Sequence, residues 1–135
     1  MLKKNLLAAL CFFAAATASA QVVIVNAQNS VSSLNKEQVE QIFMGRTNAF
    51  PGGGAVTLID NAALRDAFYQ AAVGKSGDQA KAYWAKLEFT GKGKPPVEAA
   101  NGKAVAEQVA KNPGAIGYVD KADVGAGVKA VLTLQ

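Results

Sequence analysis

The stretch NPGAIGYV, residues 112–119, holds a helix stop and a strand side by side. Its Asn-Pro-Gly start breaks any regular helix, and the apolar run at residues 115–119 follows at once. A short apolar run bounded by turn residues is typical of a buried strand. In the preceding residues 102–111, Val105 and Val109 recur at helical spacing. The stretch therefore predicts a helix that leads directly into a strand.

The same alternation of strand and helix continues on both sides of this stretch. Further apolar runs predict strands at residues 22–25, 55–59 and 128–134. Further amphipathic segments predict helices at residues 35–44, 62–73 and 76–89. Glycines and prolines make residues 90–96 a loop. Alternating strands and helices imply crossover connections, so we expect an α/β fold: a mostly parallel sheet of about four or five strands flanked by helices.

Several residues mark where the predicted helices begin and end. Asn35 precedes the first helix and Gln38 follows three residues later, which predicts a capping-box variant. Gly45 follows the first helix and can end it in a left-handed conformation, and the second helix is expected to end at Gly74.

The first 20 residues have the order of a secretory signal peptide. A basic start precedes the apolar run at residues 6–16, and an Ala-x-Ala sequence ends at Ala20. The run is shorter than the roughly 20 residues that a membrane span needs. We therefore expect cleavage after Ala20, a periplasmic location, and one α/β domain over residues 21–135.

The composition argues against several chemistries. The sequence contains no His, and its one Cys, Cys11, lies inside the predicted signal peptide. Leu10 before it is bulkier than the small residue of a lipoprotein signal. Without His, and without Cys after residue 20, the sequence argues against zinc sites, Cys-His nucleophiles and Ser-His-Asp triads. We therefore expect a non-enzyme without metal or cofactor. Loss of Lys3 and Lys4 lowers the formal charge from +4 to +2, too little to indicate nucleic-acid binding.

One candidate anion site is the predicted junction between the second strand and the second helix. Free backbone N–H groups and the positive end of a helix favour anions there, and an arginine adds a charged fork. The residues concerned are Asn61, Ala62, Ala63 and Arg65. The alternative is that Asn61 simply caps the helix and Arg65 is solvated.

A second candidate site follows the first helix, where Arg46 and Thr47 come directly after Gly45. The alternative is that Arg46 only interacts favourably with the negative end of that helix. Lys92 and Lys94 form a basic loop that either contacts a partner or a phosphate group, or is solvated surface.

Three segments together carry a family resemblance. They are QIFMGR at residues 41–46, AYW at 82–84 with FTGKG at 89–93, and NPGAIGYV at 112–119. In this order they resemble the phosphate-type substrate-binding proteins of ABC uptake systems, and more narrowly their short, single-lobe relatives. The resemblance extends from about Val22 to Leu134, and the glycine-flanked strand AIGY is its most specific part.

The resemblance implies a type II periplasmic-binding-protein lobe, an α/β sheet flanked by helices. In full-length members a second lobe faces it across a cleft that holds an oxyanion. Full-length phosphate binders place an arginine and a Ser-Gly-Thr turn at a strand-to-helix junction, where this chain has DNAALR at residues 60–65. Without those hydroxyls and without a second lobe, an anion would stay half in water and be held weakly.

Two functions remain open at this point. The first is non-catalytic, weak binding of a small phosphate-like oxyanion, alone or with a membrane transporter or another periplasmic protein. The second is an accessory or partner-docking protein with a degenerate ligand site, which would expose an apolar patch on its cleft-facing side. A homodimer formed through the cleft-facing side would be partly consistent with each of these two functions.

Overall fold

The computed structural model describes residues 20–134, so the predicted signal peptide lies outside the described residues except for Ala20. Strands and helices alternate along most of the chain. The strands are β1 (Gln21–Asn26), β2 (Thr57–Asn61), β3 (Val97–Ala99), β4 (Ala115–Asp120) and β5 (Val128–Leu134). The helices are α1 (Lys36–Phe43), α2 (Arg65–Val73), α3 (Gly77–Phe89) and α4 (Gly102–Lys111), with a short 3-10 helix at Lys121–Asp123.

The strands form one five-stranded sheet in the order β3-β2-β4-β1-β5. β2 runs parallel to β3 and β4, while β1 runs antiparallel to β4 and β5. The expected α/β class is confirmed, and four of the five strands run in one direction. The reversed strand, β1, lies between β4 and β5, so the sheet contains both parallel and antiparallel pairs. The carboxyl ends of β2, β3, β4 and β5 share one edge of the sheet.

Both faces of the sheet are covered, so β1 is apolar throughout. Val23 and Val25 pack in a core with α1 and α2, while Val22 and Ile24 pack on the other face with α4. All four side chains are at most 2% exposed. Burial on both faces explains why this strand is a continuous β-branched run instead of an alternating one.

The helix ends follow the expected local chemistry. Asn35 Oδ1 accepts from Gln38 N at 2.8 Å, and Gln38 Oε1 accepts from Asn35 N at 2.9 Å, which confirms the capping box. Gly74 ends α2 with φ of 76°, in the left-handed region. Within residues 20–134, no helix is long and apolar enough to cross a membrane.

Several details of the prediction were wrong, among them the bounds of the second strand, which covers residues 57–61 instead of 55–59. β3 was not predicted, because three residues after Pro95 and Pro96 are too few to show a periodicity. α2 begins at Arg65 instead of Ala62, since the intervening residues form a turn that is hydrogen-bonded to other parts of the fold.

Gly117 lets α4 approach β4 closely, and we expect Gly117→Ala to destabilise the fold. A Cβ there would lie 2.6 Å from Val105 Cγ1 and 3.3 Å from Ile59 O. We expect the free energy of unfolding, measured by urea denaturation, to fall by about 1–3 kcal/mol, as in other overpacked cores. The matched control is Gly125→Ala, where a Cβ meets nothing within 4 Å and the change should stay within about 0.5 kcal/mol. Equal losses in both variants would contradict this packing.

Candidate functional site

A buried carboxylate lies near the carboxyl end of β2. Asp60 is 8% exposed, and its Oδ1 accepts from Tyr69 Oη at 3.0 Å and from Tyr118 Oη at 2.9 Å. Its Oδ2 lies 3.7 Å from Arg65 Nε. One side chain of β2 is thereby joined to α2 and to β4.

Burial controls the protonation of this group. Desolvation raises the pKa of Asp60, while the two tyrosine hydroxyls and the Arg65 guanidinium oppose that rise without cancelling it. Burial and the neighbouring carboxylate also raise the pKa values of Tyr69 and Tyr118 above the ordinary range. Both hydroxyls therefore keep their protons and remain donors.

The turn after β2 uses its own polar groups internally. Ala62 N donates to Ala99 O at 2.9 Å, and Ala63 N donates to Asn61 Oδ1 at 3.0 Å. Asn61 is 1% exposed, and its Nδ2 donates to Tyr118 O at 3.2 Å. These N–H groups, expected to be free at a helix start, already have acceptors within the protein.

Arg65 is likewise compensated by neighbouring acids. It forms a close ion pair with Glu98 of β3 as well as the longer contact with Asp60, and its side chain is 19% exposed. A cation in the first turn of a helix is disfavoured by the helix dipole, and the two carboxylates offset that cost. The guanidinium therefore has carboxylates where an external anion would have to bind.

A small cavity opens beside this network. It has a volume of about 260 Å³, and Trp84, Pro95 and Pro96 supply much of its apolar wall. Its charged lining consists of Asp60, Glu88, Glu98, Arg65 and Lys81. Acids outnumber bases here, so the cavity does not favour an anion.

A larger groove lies toward the amino ends of β2 and β3. Its volume is about 990 Å³, and it contains Arg46, Thr47, Lys92 and Lys94. Its lining residues include no Asp or Glu. Arg46 Nη1 contacts Glu40 Oε2 at 3.5 Å; Glu40 is not a lining residue, and the two side chains are 45% and 35% exposed, respectively. A solvent-accessible ion pair of this kind contributes little stability.

Trp84 separates the cavity from the groove and holds the groove walls in place. Its Nε1 donates to Phe43 O at 3.0 Å, and the neighbouring Tyr83 Oη donates to Met44 O at 2.7 Å. A Cβ on Gly45 would lie 2.6 Å from the indole, and a Cβ on Gly93 would lie 3.1 Å from it. The glycines therefore let the end of α1 and the loop after α3 pack closely against one ring.

The two sets of predicted site residues lie in different places. Arg46 and Thr47 line the groove, whereas Arg65 lines the smaller cavity. Sequence reasoning missed Tyr69, Tyr118 and Glu98 as partners of the 60–65 segment. The tyrosines resemble ordinary core aromatics in the sequence, and Glu98 becomes a neighbour only through β3 pairing.

The mixed sheet and its flanking helices define the class of fold as α/β. No protein-family model and no curated protein matches the chain. Among solved structures it is similar to a protein from Clostridium perfringens with bound phosphate, at 20% identity and a TM-score of 0.67. It is also similar to an ABC-type phosphate transport receptor from Vibrio cholerae, at 18% identity and a TM-score of 0.57. A third similar structure is PstS from Borrelia burgdorferi, at 14% identity and a TM-score of 0.57.

Each of these matches covers 84% of this chain but less than half of the other chain: 45%, 45% and 46%, respectively. At such low identity the matches establish the fold, and they confirm the structural side of the resemblance. The chain therefore spans somewhat less than half the length of those structures.

The buried carboxyl makes a prediction for pH dependence. With its pKa raised in the fold, Asp60 keeps a proton that the unfolded chain loses at about pH 3.9. Its contribution to stability therefore falls as pH rises from about that value through the raised pKa. Asp60→Asn removes this titration, so the unfolding free energy of the wild type minus that of the variant should decrease across this window.

Urea denaturation at a series of pH values measures this difference. Gly125→Ala serves as the control, because it changes no titratable group and its difference from the wild type should stay nearly constant over the same window. A wild-type advantage over Asp60→Asn that grows with pH would show that the folded state favours the ionised form.

Proposed function

We propose that residues 21–135 are a non-catalytic, periplasmic binding-protein-like domain that binds a small phosphate-like oxyanion weakly, without metal or cofactor. The observation that supports this most is the charge of the groove: Arg46, Lys92 and Lys94 line it without an Asp or Glu among the other lining residues. A concave surface lined by one sign of charge attracts ions of the opposite sign.

Neutral polar groups in the same groove are suited to an oxyanion. Asn48 and Thr57 line the groove and carry an amide and a hydroxyl, respectively, whereas the Thr47 hydroxyl donates to Ala49 O at 3.3 Å within its own loop. Hydroxyl and amide donors beside cations favour tetrahedral oxyanions through charge-assisted hydrogen bonds. The exposure of Arg46 and both lysines keeps such bonds partly in water, which accounts for weak binding.

The turn formed by Asn61, Ala62 and Ala63 with Arg65 is the other proposed place for the anion. It lies at the carboxyl edge of the sheet, where ligands of α/β proteins usually bind. Binding there requires the anion to displace Glu98 or Asp60 from Arg65. We therefore propose the groove as the preferred anion site and this turn as the second candidate.

The alternative function is a partner-docking protein with a degenerate ligand site. One observation favours it: Arg65, at the junction where the resemblance implies a phosphate grip, already faces two carboxylates of its own chain. In that case the lobe would keep its fold, bind no inorganic anion, and act through contacts with a transporter, another periplasmic protein or a second copy.

Isothermal titration of the purified protein with inorganic phosphate at low ionic strength tests the proposal. We expect saturable one-site heat, with the affinity reduced roughly tenfold by Arg46→Ala, since a lost charge-assisted contact is worth about 1.5–3 kcal/mol and tenfold is about 1.4 kcal/mol. Lys103→Ala is the matched control, because Lys103 is an exposed cation on α4, across the sheet from the groove.

Arg65→Ala separates the two proposed places. If this variant weakens binding and Arg46→Ala does not, the anion binds at the 61–65 turn. An absence of heat at millimolar phosphate, from protein shown to be folded by circular dichroism, would contradict oxyanion binding and support the docking function.

A further inference from the structure

Two exposed apolar residues belong to segments that border the basic groove. Phe89 is 92% exposed and Val97 is 48% exposed, and within residues 20–134 these are the large hydrophobic residues left in solvent. Val97 lines the groove itself, and Phe89 ends α3 two residues before Gly91, which also lines it. Exposed aromatic side chains are enriched at protein contact surfaces.

The loop that joins these two residues is held in place. Lys92 N donates to Leu87 O at 2.8 Å, and Gly91 N donates to Glu88 O at 3.0 Å, so the loop folds back onto the end of α3. Gly93 packs against the Trp84 ring on the other side. A surface that is already ordered loses less conformational entropy on binding.

The size of the groove exceeds what an inorganic anion fills. About 990 Å³ is at the upper end of the range for pockets that enclose drug-sized molecules, which is about 300–1,000 Å³. Ile42, Val56, Leu58 and Pro95 contribute apolar lining between the cations. The groove therefore combines cations with apolar contact area along one surface.

We propose that this groove is the docking site for an extended, acidic segment of a partner protein, whose carboxylates meet Arg46, Lys92 and Lys94 while an apolar side chain packs against Phe89 and Val97. This inference rests on the proposed function in that it assigns the anionic ligand of the same groove. The occupant is chosen by charge complementarity, since the lining offers three cations and no acid.

Selection of a random peptide library displayed on phage, against the purified protein, tests this choice. We expect enrichment of sequences in which Asp or Glu residues flank an aromatic or aliphatic residue. A fluorescein-labelled peptide of the enriched sequence should bind in a polarisation assay, and the affinity should fall as salt is added, because the exposed charges are screened.

Variants locate the site. Lys92→Ser with Lys94→Ser, and separately Phe89→Ser, should each weaken peptide binding roughly tenfold, about 1.4 kcal/mol. The matched control, Lys103→Ser with Lys111→Ser, removes two exposed cations of α4 and should leave binding unchanged. No enrichment, enrichment that ignores charge, or an equal loss in the control would overturn the docking site.

The phosphate titration separates this inference from the proposed function. Phe89→Ser should leave phosphate binding unchanged, because Phe89 carries no charge for an anion. Peptide binding without phosphate heat would contradict weak oxyanion binding and leave the docking site standing. Saturable heat with phosphate but no peptide enrichment would support weak oxyanion binding and overturn the docking site.

Discussion

The hydrogen bonds that Tyr69 and Tyr118 donate to Asp60 fix the position of α2 on the sheet. The Phe68 ring stacks on that of Tyr118 with a centroid distance of 3.8 Å and an interplanar angle of 4°, so the polar contact continues into the aromatic core. Loss of one hydroxyl would leave a buried carboxyl with fewer partners, which typically costs about 1–3 kcal/mol. The same carboxyl draws Arg65 toward the sheet. The core and the carboxyl edge of the sheet are therefore parts of one network.

That network determines where an anion can bind. At the carboxyl edge, Asp60 and Glu98 balance the charge of Arg65, and the turn N–H groups donate to Ala99 O and Asn61 Oδ1. At the amino ends of β2 and β3, cations line the groove without acids. The chain thus shares a fold with phosphate receptors, while the surface lined by cations without acids lies elsewhere, and Arg46 there has a partner only in the partly exposed Glu40. For this reason, a shared fold does not by itself imply a shared function.

Much of the fold could be predicted from the sequence, because the deciding signals are local. The capping box at Asn35 and the buried run in β1 depend on neighbouring residues, and both were found. The reversed direction of β1 was not predicted, since pairing with β4 and β5 is a long-range property. The candidate site could be predicted only in part. Arg46 was placed beside a helix end, but Glu98, one of the two acids that compensate Arg65, becomes its neighbour only through the β2–β3 pairing.

Trp84 joins the first two of the three segments that carry the family resemblance. Its ring packs against Gly45 of the first segment and Gly93 of the second, while its indole N–H satisfies a backbone carbonyl at the end of α1. The third segment contributes Tyr118, which binds Asp60 on the wall of the adjoining cavity. Glycine is required at position 45 both by the ring and by a φ of 69°. These residues are therefore requirements of packing, and they would persist in this lobe whether the groove binds an oxyanion, an acidic segment or neither.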